Sequence, residues 1–275
     1  MRHTVLATTL AFLTGCGSAV ERSFIYYPTR RLEATPRDYG LPFEELRLTA
    51  EDGVRLHGWY VPGRRAITLL WCHGNAGNIS HRLDNLRLMR NRLGLGVLLF
   101  DYRGYGESEG VPSEAGTYRD ARAFRAWLRA QPTTRSMPVL YFGRSLGAGV
   151  ATALAVEDPP TALILEAPFT SVPAMAGVAF PLVGHLVASL LRTRYETRGR
   201  IGQVRAPVLV LHGDADEVVP FAQGRAVFEA APEPKTFFPI PRATHNDTYL
   251  VGGEAYWHAW EEFLAAHVPG WDPAR

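Results

Sequence analysis

Short apolar runs alternate along this chain with longer amphipathic stretches, a pattern that predicts an α/β fold with a mostly parallel, twisted sheet and helices on both faces. Two further features sharpen the layout. An antiparallel hairpin precedes the alternation, and a Gly-x-Ser-x-Gly turn lies where one apolar run passes into a helix.

The chain has 275 residues, 47% hydrophobic and 20% charged, a balance suited to one globular unit with a large core. Its formal charge of +2, with Lys235 the single lysine and the arginines scattered among acidic residues, excludes nucleic acid as the expected partner. Two cysteines, Cys16 and Cys72, do not make a disulfide framework. Cys72 ends the run Ile67 to Trp71 and reads as a buried small apolar residue in a strand.

The first segment, Met1 to Gly17, carries Arg2 and His3, a short apolar stretch from Val5 to Leu13, and then Leu13-Thr14-Gly15-Cys16. It is too short to span a bilayer and reads as an export signal, outside the folded domain. Its ending resembles the lipobox of bacterial lipoproteins, in which the cysteine becomes lipidated. Acyl chains on Cys16 would tether the protein to a membrane.

After a lead-in over residues 17–42, Glu45 to Leu48 alternates, Glu51-Asp52-Gly53 turns, and Leu56 to Val61 returns as a second strand, giving the hairpin expected at one sheet edge. Strand-like runs follow at Ile67–Cys72, Gly96–Asp101, Val139–Phe142, Ala162–Glu166, Val208–Leu211 and Thr236–Ile240. Helical stretches are expected at Ile79–Leu93, Thr117–Ala130, Leu146–Val156, Phe221–Ala230 and Ala255–Ala266, with Phe124, Trp127 and Leu128 facing the core. One long insertion, residues 168–205, is rich in apolar residues and leaves from a carboxyl strand end, where ligands bind in such sheets. It reads either as an apolar lid or as a helix pair packed on the core.

The chemistry centres on Gly143-Arg144-Ser145-Leu146-Gly147, placed between strand and helix so that the glycines allow a tight turn and Ser145 projects as a nucleophile. A serine hydroxyl needs a base, and histidine suits that task near neutral pH. Among nine histidines, His245 stands in a loop between the last strand-like run and the last helix, in the chain order Ser, Asp, His. His57, His81, His185, His258 and His267 lie in the hairpin, helices or insertion. The acid belongs after Val208–Leu211, where Asp214, Asp216 and Glu217 compete. Spacing alone does not choose between Asp214 and Asp216. For the oxyanion, the backbone amide of Leu146 is one donor, and the loop His73 to Asn78 supplies another, Asn75 with Ala76 as the fallback. The alternative reading of this loop is a glycine-rich helix entry with Asn78 or Ser80 as cap. No metal or organic cofactor is implied.

Together, Asn75 to Asn78, Asp101 to Ser108, Pro112 to Glu114, Gly143 to Gly147, Glu166 to Phe169, His212-Gly213 with Asp216, and His245 to Asp247 resemble the bud-emergence branch of the α/β hydrolases. That branch includes the α/β-hydrolase domain-containing proteins of types 13 and 17. The resemblance runs from about Phe24 to His267. It implies Ser145 as nucleophile, Asp216 as acid within an HGxxD pattern, and His245 as base. It also implies a site-shaping role for Asp101 to Gly106, with Arg103 as a brace. Some relatives cleave palmitoyl thioesters and carry a cysteine-rich N-terminal anchor, which this chain replaces with one cysteine.

The expected organisation is therefore a signal at 1–16, a lead-in at 17–42, and an α/β-hydrolase domain at 43–270 with a candidate lid at 168–205. The expected activity is hydrolysis of carboxylic ester or thioester bonds in a small or lipid-like acyl substrate, by an exported protein held at a membrane through Cys16 or, with a plain signal peptide, periplasmic or secreted. Alternatives are a serine peptidase of the prolyl-peptidase type and a catalytically silent lipid-binding protein.

Overall fold

A computed structural model describes residues 21–272. The signal, its lipobox-like end and Cys16 lie outside the described residues.

The described residues form ten strands: β1 (Tyr27–Pro28), β2 (Glu44–Thr49), β3 (Arg55–Val61), β4 (Thr68–Cys72), β5 (Ala76–Gly77), β6 (Gly96–Phe100), β7 (Val139–Arg144), β8 (Ala162–Glu166), β9 (Val208–Gly213) and β10 (Lys235–Ile240). Eight of them form one sheet in the order β10-β9-β8-β7-β4-β6-β3-β2. From β10 through β6 every pair is parallel, and the β2-β3 hairpin joins antiparallel at the edge. This is the mostly parallel sheet that the alternating runs predict, in the α/β-hydrolase arrangement that the resemblance implies.

Period-two geometry explains why the central strands are continuously apolar. In β4, Leu70 and Cys72 enter one core with Tyr141 and Phe124, whereas Leu69 and Trp71 enter the opposite core with Phe142, Leu86 and Trp260. The first core is closed by α2 (Glu114–Ala130) and α3 (Leu146–Glu157), and the second by α1 (Leu83–Leu93) and the last helix.

Two helices differ from their expected bounds for local reasons. The stretch from Ile79 opens as a 3-10 turn, Ile79–Arg82, because the Asn78 side chain accepts from Ser80 N at 2.9 Å and caps it. The last helix spans Thr248–His267 and begins well before Ala255. Gly253, at φ 50° and ψ −134°, breaks its regularity, so only the second half carries a clean helical period.

The lead-in is bound into this body. Short β1 pairs in parallel with β5, and Tyr26 and Leu41 are buried. The insertion forms α4 (Val172–Ala179), α5 (Gly184–Leu190) and α6 (Thr197–Ile201). Val172 and Ala176 face inward, but Leu182 and Leu190 are 91% and 81% exposed, and Phe180, Val183 and Leu186 are exposed beside them. That apolar face is turned to solvent.

Candidate active site

β7 ends at Arg144 and α3 begins at Leu146, leaving Ser145 alone at the junction with φ 53° and ψ −118°. A positive φ is costly for a residue with a Cβ and persists only where the surroundings enforce it. Here the Ser145 amide donates to the Glu166 carbonyl at 2.9 Å, and its own carbonyl accepts from Ala148 N at 2.9 Å. The flanking glycines make room. A Cβ at Gly147 would lie 2.0 Å from the Cys72 carbonyl oxygen, and one at Gly143 would lie 2.4 Å from that of Gly147. The helix start is thereby pressed against the end of β4, and the side chain is carried to the carboxyl edge of the sheet.

His245, from the loop before the last helix, reaches this point with Nε2 at 3.1 Å from Ser145 Oγ. Its Nδ1 lies 2.8 Å from Asp216 Oδ2. With Nδ1–H donated to the carboxylate, Nε2 is left to accept the serine proton. The three residues are nearly buried, at 9%, 8% and 7% exposure for Ser145, His245 and Asp216.

Asp216 is held in a fixed frame. Its Oδ1 accepts from the Val218 and Val219 amides at 2.9 and 2.8 Å. Burial opposes its ionisation, but hydrogen bonds from His212 and His245 more than offset that and keep the carboxyl well below the usual range. Asp214 does something else, accepting from the Arg242 amide at 2.6 Å and closing the neighbouring turn. The structure thus separates the two aspartates that spacing leaves equivalent.

Opposite the nucleophile runs the loop after β4. A Cβ on Gly74 would sit 3.6 Å from Ser145 Cβ, so the loop passes close to the reacting atom. Tyr102 Oη donates to the His73 carbonyl at 2.9 Å, and Tyr105 Oη donates to the Asn75 carbonyl at 2.8 Å. The Asn75 carbonyl also accepts from Tyr27 N at 3.1 Å, and its side chain donates to the Ile25 carbonyl at 3.0 Å. The segment from Asp101 to Gly106 therefore braces the loop that faces Ser145. Arg103 is part of the same scaffold, ion-paired with Asp120 at 2.8 Å and Asp52 at 2.7 Å. His73 is neutral, since burial and the nearby Arg82 charge push it down to about 3.

Gly74, Asn75, Ser145, Val218, His245 and Arg82 are among the residues lining a cavity of about 420 Å³ above this triad. Of the other histidines with described side chains, His57 lies against Glu45 at 3.2 Å, His258 against Glu262 at 3.1 Å and His267 against the Phe263 ring, whereas His81, 3.2 Å from Glu33, also lines this cavity.

Residues 64–198 match the family described as Serine aminopeptidase, S33. The chain is 36% identical to Alpha/beta hydrolase domain-containing protein WAV2 of Arabidopsis thaliana, over 91% of this chain and 89% of that protein. It is 35% identical to Protein bem46 of Schizosaccharomyces pombe, over 84% and 79%. The chain belongs to the α/β-hydrolase family, in the branch that holds bem46 and WAV2. An uncharacterized Mycobacterium tuberculosis protein is 40% identical over 89% of this hydrolase-family chain and 87% of its own length. Among solved structures, the Pyrococcus furiosus esterase Pf2001 superposes with a TM-score of 0.74 at 20% identity, over 88% of this chain and 97% of that one. That likeness speaks for the fold.

Within this α/β-hydrolase framework, two residues escape a reading by motif. Arg144, the variable residue of the Gly-x-Ser-x-Gly turn, donates Nη2 to the His245 carbonyl at 2.6 Å and to Asn246 Oδ1 at 3.3 Å. Its Nε lies 2.9 Å from the buried Glu166, whose carboxylate also accepts from Thr248 Oγ1 at 2.8 Å and Tyr256 Oη at 2.6 Å. The only signal in sequence is an arginine beside the nucleophile and an acid at a strand end. Among the described residues, Glu45, His57 and Glu107 bring potential metal-ligand atoms within 4.8 Å of one another. Arg47 pairs with Glu45 and Glu107 at 2.8 and 2.6 Å, so those charges are already compensated.

Proposed function

We propose that this chain is a serine hydrolase that cleaves carboxylic ester or thioester bonds through an acyl-enzyme on Ser145. The observation carrying this reading is the continuous hydrogen-bonded line Ser145, His245, Asp216, at 3.1 and 2.8 Å. Ser145 Oγ attacks the acyl carbonyl carbon as its proton passes to His245 Nε2, and the imidazolium is stabilised by Asp216. The oxyanion is received by the amides of Leu146, at the positive end of α3, and Asn75. Collapse expels the alcohol or thiol, which takes the proton from His245. Water then adds to the acyl carbon with His245 again as base, and the carboxylic acid leaves with Ser145 restored.

The membrane reading is part of the same proposal: export, lipidation of Cys16, and a catalytic domain held at a lipid surface. No helix among the described residues is long and apolar enough to cross a membrane. Support comes from the exposed face of α4 and α5 and from where the lead-in begins. The Glu21 carboxylate accepts from Thr193 N at 2.6 Å, just after that apolar face, so a tether ending at residue 20 would emerge beside it. A face of this kind marks a contact with an apolar phase. It also fits the candidate lid over 168–205 and a lipid-like acyl substrate.

A fluorophosphonate probe tests the chemistry: it should label the wild type and fail on Ser145→Ala, and equal labelling of both would refute the assignment. Labelling with a clickable palmitate should depend on Cys16, and its absence would remove the tether. A second reading, peptide hydrolysis, is favoured by the description of the matched family as a serine aminopeptidase. Release of aryl alcohols from esters without release of arylamines from aminoacyl arylamides supports the esterase reading; the reverse supports the peptidase.

A further inference from the structure

Two guanidinium groups, Arg82 and Arg144, line the cavity above Ser145, and they are not equivalent. Arg144 donates to the His245 carbonyl and to Asn246 and is ion-paired with Glu166, although its Nε, like that of Arg82, makes no hydrogen bond among the described residues. Arg82 has no such set. One of its Nη groups donates to the Ala76 carbonyl, while its Nε is sealed from solvent with no hydrogen-bond partner among the described residues. No carboxylate among the described residues forms an ion pair with it. The nearby Asp101 carboxylate acts on it only through space: its Oδ1 accepts from the Ile79 amide at 3.0 Å, and its buried Oδ2 has no hydrogen-bond partner among the described residues.

A cation that is partly withdrawn from water and has no carboxylate in contact is expensive to maintain. Burial, and then repulsion from Arg144, push Arg82 down to about 10, so it still carries its charge at neutral pH. The planar guanidinium offers several donors in a fixed fork, a shape suited to a carboxylate or phosphate.

Resting on the hydrolase reading above, we infer that Arg82 is a specificity-determining residue and that the preferred substrate carries an anionic oxygen group, carboxylate or phosphate, within the same cavity as the acyl carbon attacked by Ser145. The anion would supply the contact counter-charge that Arg82 lacks, and the neutral alkyl ester of equal size would not. Leaving a desolvated charge unpaired penalises the neutral ester more than a difference of shape does.

The test compares matched neutral and anionic substrates on the full-length protein. One arm sets an aryl butyrate against the aryl half-ester of succinate, and the other sets a monoacylglycerol against its phosphate ester. The wild type is expected to favour the anionic member of at least one pair by about tenfold in kcat/KM, and which pair identifies the anion. Arg82→Gln is expected to collapse that ratio by about tenfold, and Arg82→Lys to restore part of it. Fluorophosphonate labelling of Ser145 reports whether each variant retains a formed site. Should the variants fail to fold, the wild-type ratio and its decline with added salt carry the test. Neutral esters cleaved as well as anionic ones, with Ser145 labelled, would overturn this inference and leave the hydrolase reading standing. An unlabelled Ser145 with no turnover of any ester would overturn both.

Discussion

Arg144 Nη2 donates to the carbonyl of His245 at 2.6 Å, so the residue next to the proposed nucleophile holds the backbone of its proposed base. The two come from chain segments about a hundred residues apart, and their relative position otherwise depends on loop packing. Glu166 holds Arg144 from behind, and Thr248 and Tyr256 hold Glu166. Removing the guanidinium leaves a buried carboxylate uncompensated, which costs about 3–5 kcal/mol. Arg144→Met is therefore expected to lose about that much stability in urea unfolding. The combined change with Glu166→Gln should recover part of it. Because the His245 loop would be released, kcat should fall more than KM rises, by about a hundredfold for a misplacement near 1 Å.

The two aspartates of the loop after β9 separate by their partners. Asp216→Asn leaves the shape but removes the charge that orients the His245 tautomer, and kcat is expected to fall by about ten-thousandfold. Asp214→Asn weakens one hydrogen bond to the Arg242 amide, worth about 1 kcal/mol, and should leave turnover within about threefold. Steady-state rates on one aryl ester, with thermal unfolding of each variant, check both.

Much of this was legible from the chain because the signals are local. Ser145 stands in a turn whose glycines are demanded by atoms four to eight residues away or on the adjoining strand end, and His245 is marked by chain order. Asp216 was different. Its selection over Asp214 depends on which carboxylate turns toward a histidine in another loop, and no spacing within His212 to Pro220 records that. The roles of Arg144 and Glu166 were hidden for the same reason, as both act through residues distant in sequence. The early start of the last helix was masked by Gly253, whose backbone interrupts the helical period.

The depressed carboxyl of Asp216 has a pH signature. A carboxylate whose folded value lies below its unfolded value, about 3.9, stabilises the fold above that value and loses the contribution as pH falls toward the folded one. Wild type and Asp216→Asn should therefore differ most in stability near pH 7, and the gap should close steadily below about pH 4. Near neutral pH, Asp216 therefore stays ionised. A stability gap that widens on acidification would contradict this assignment.

Cys72 sits in β4 immediately before the His73-Gly74 loop, fully buried, and burial pushes its thiol far above the ordinary range. Thiolate is the reactive form, so this cysteine should be inert despite its place beside the nucleophile. Iodoacetamide is expected to leave the peptide containing Cys72 unmodified in the native protein and to alkylate it after denaturation. Esterase turnover should survive the same treatment. Native modification of Cys72 at a rate near that of a free thiol would mean that the end of β4 opens readily. That is hard to reconcile with a helix start held so close that a single Cβ at Gly147 would fall 2.0 Å from the Cys72 carbonyl. Gly147→Ala provides the complementary measurement. Overpacking of a rigid contact costs about 1–3 kcal/mol, and here the displaced element carries Ser145, so turnover should fall together with stability, and Cys72 should become reactive.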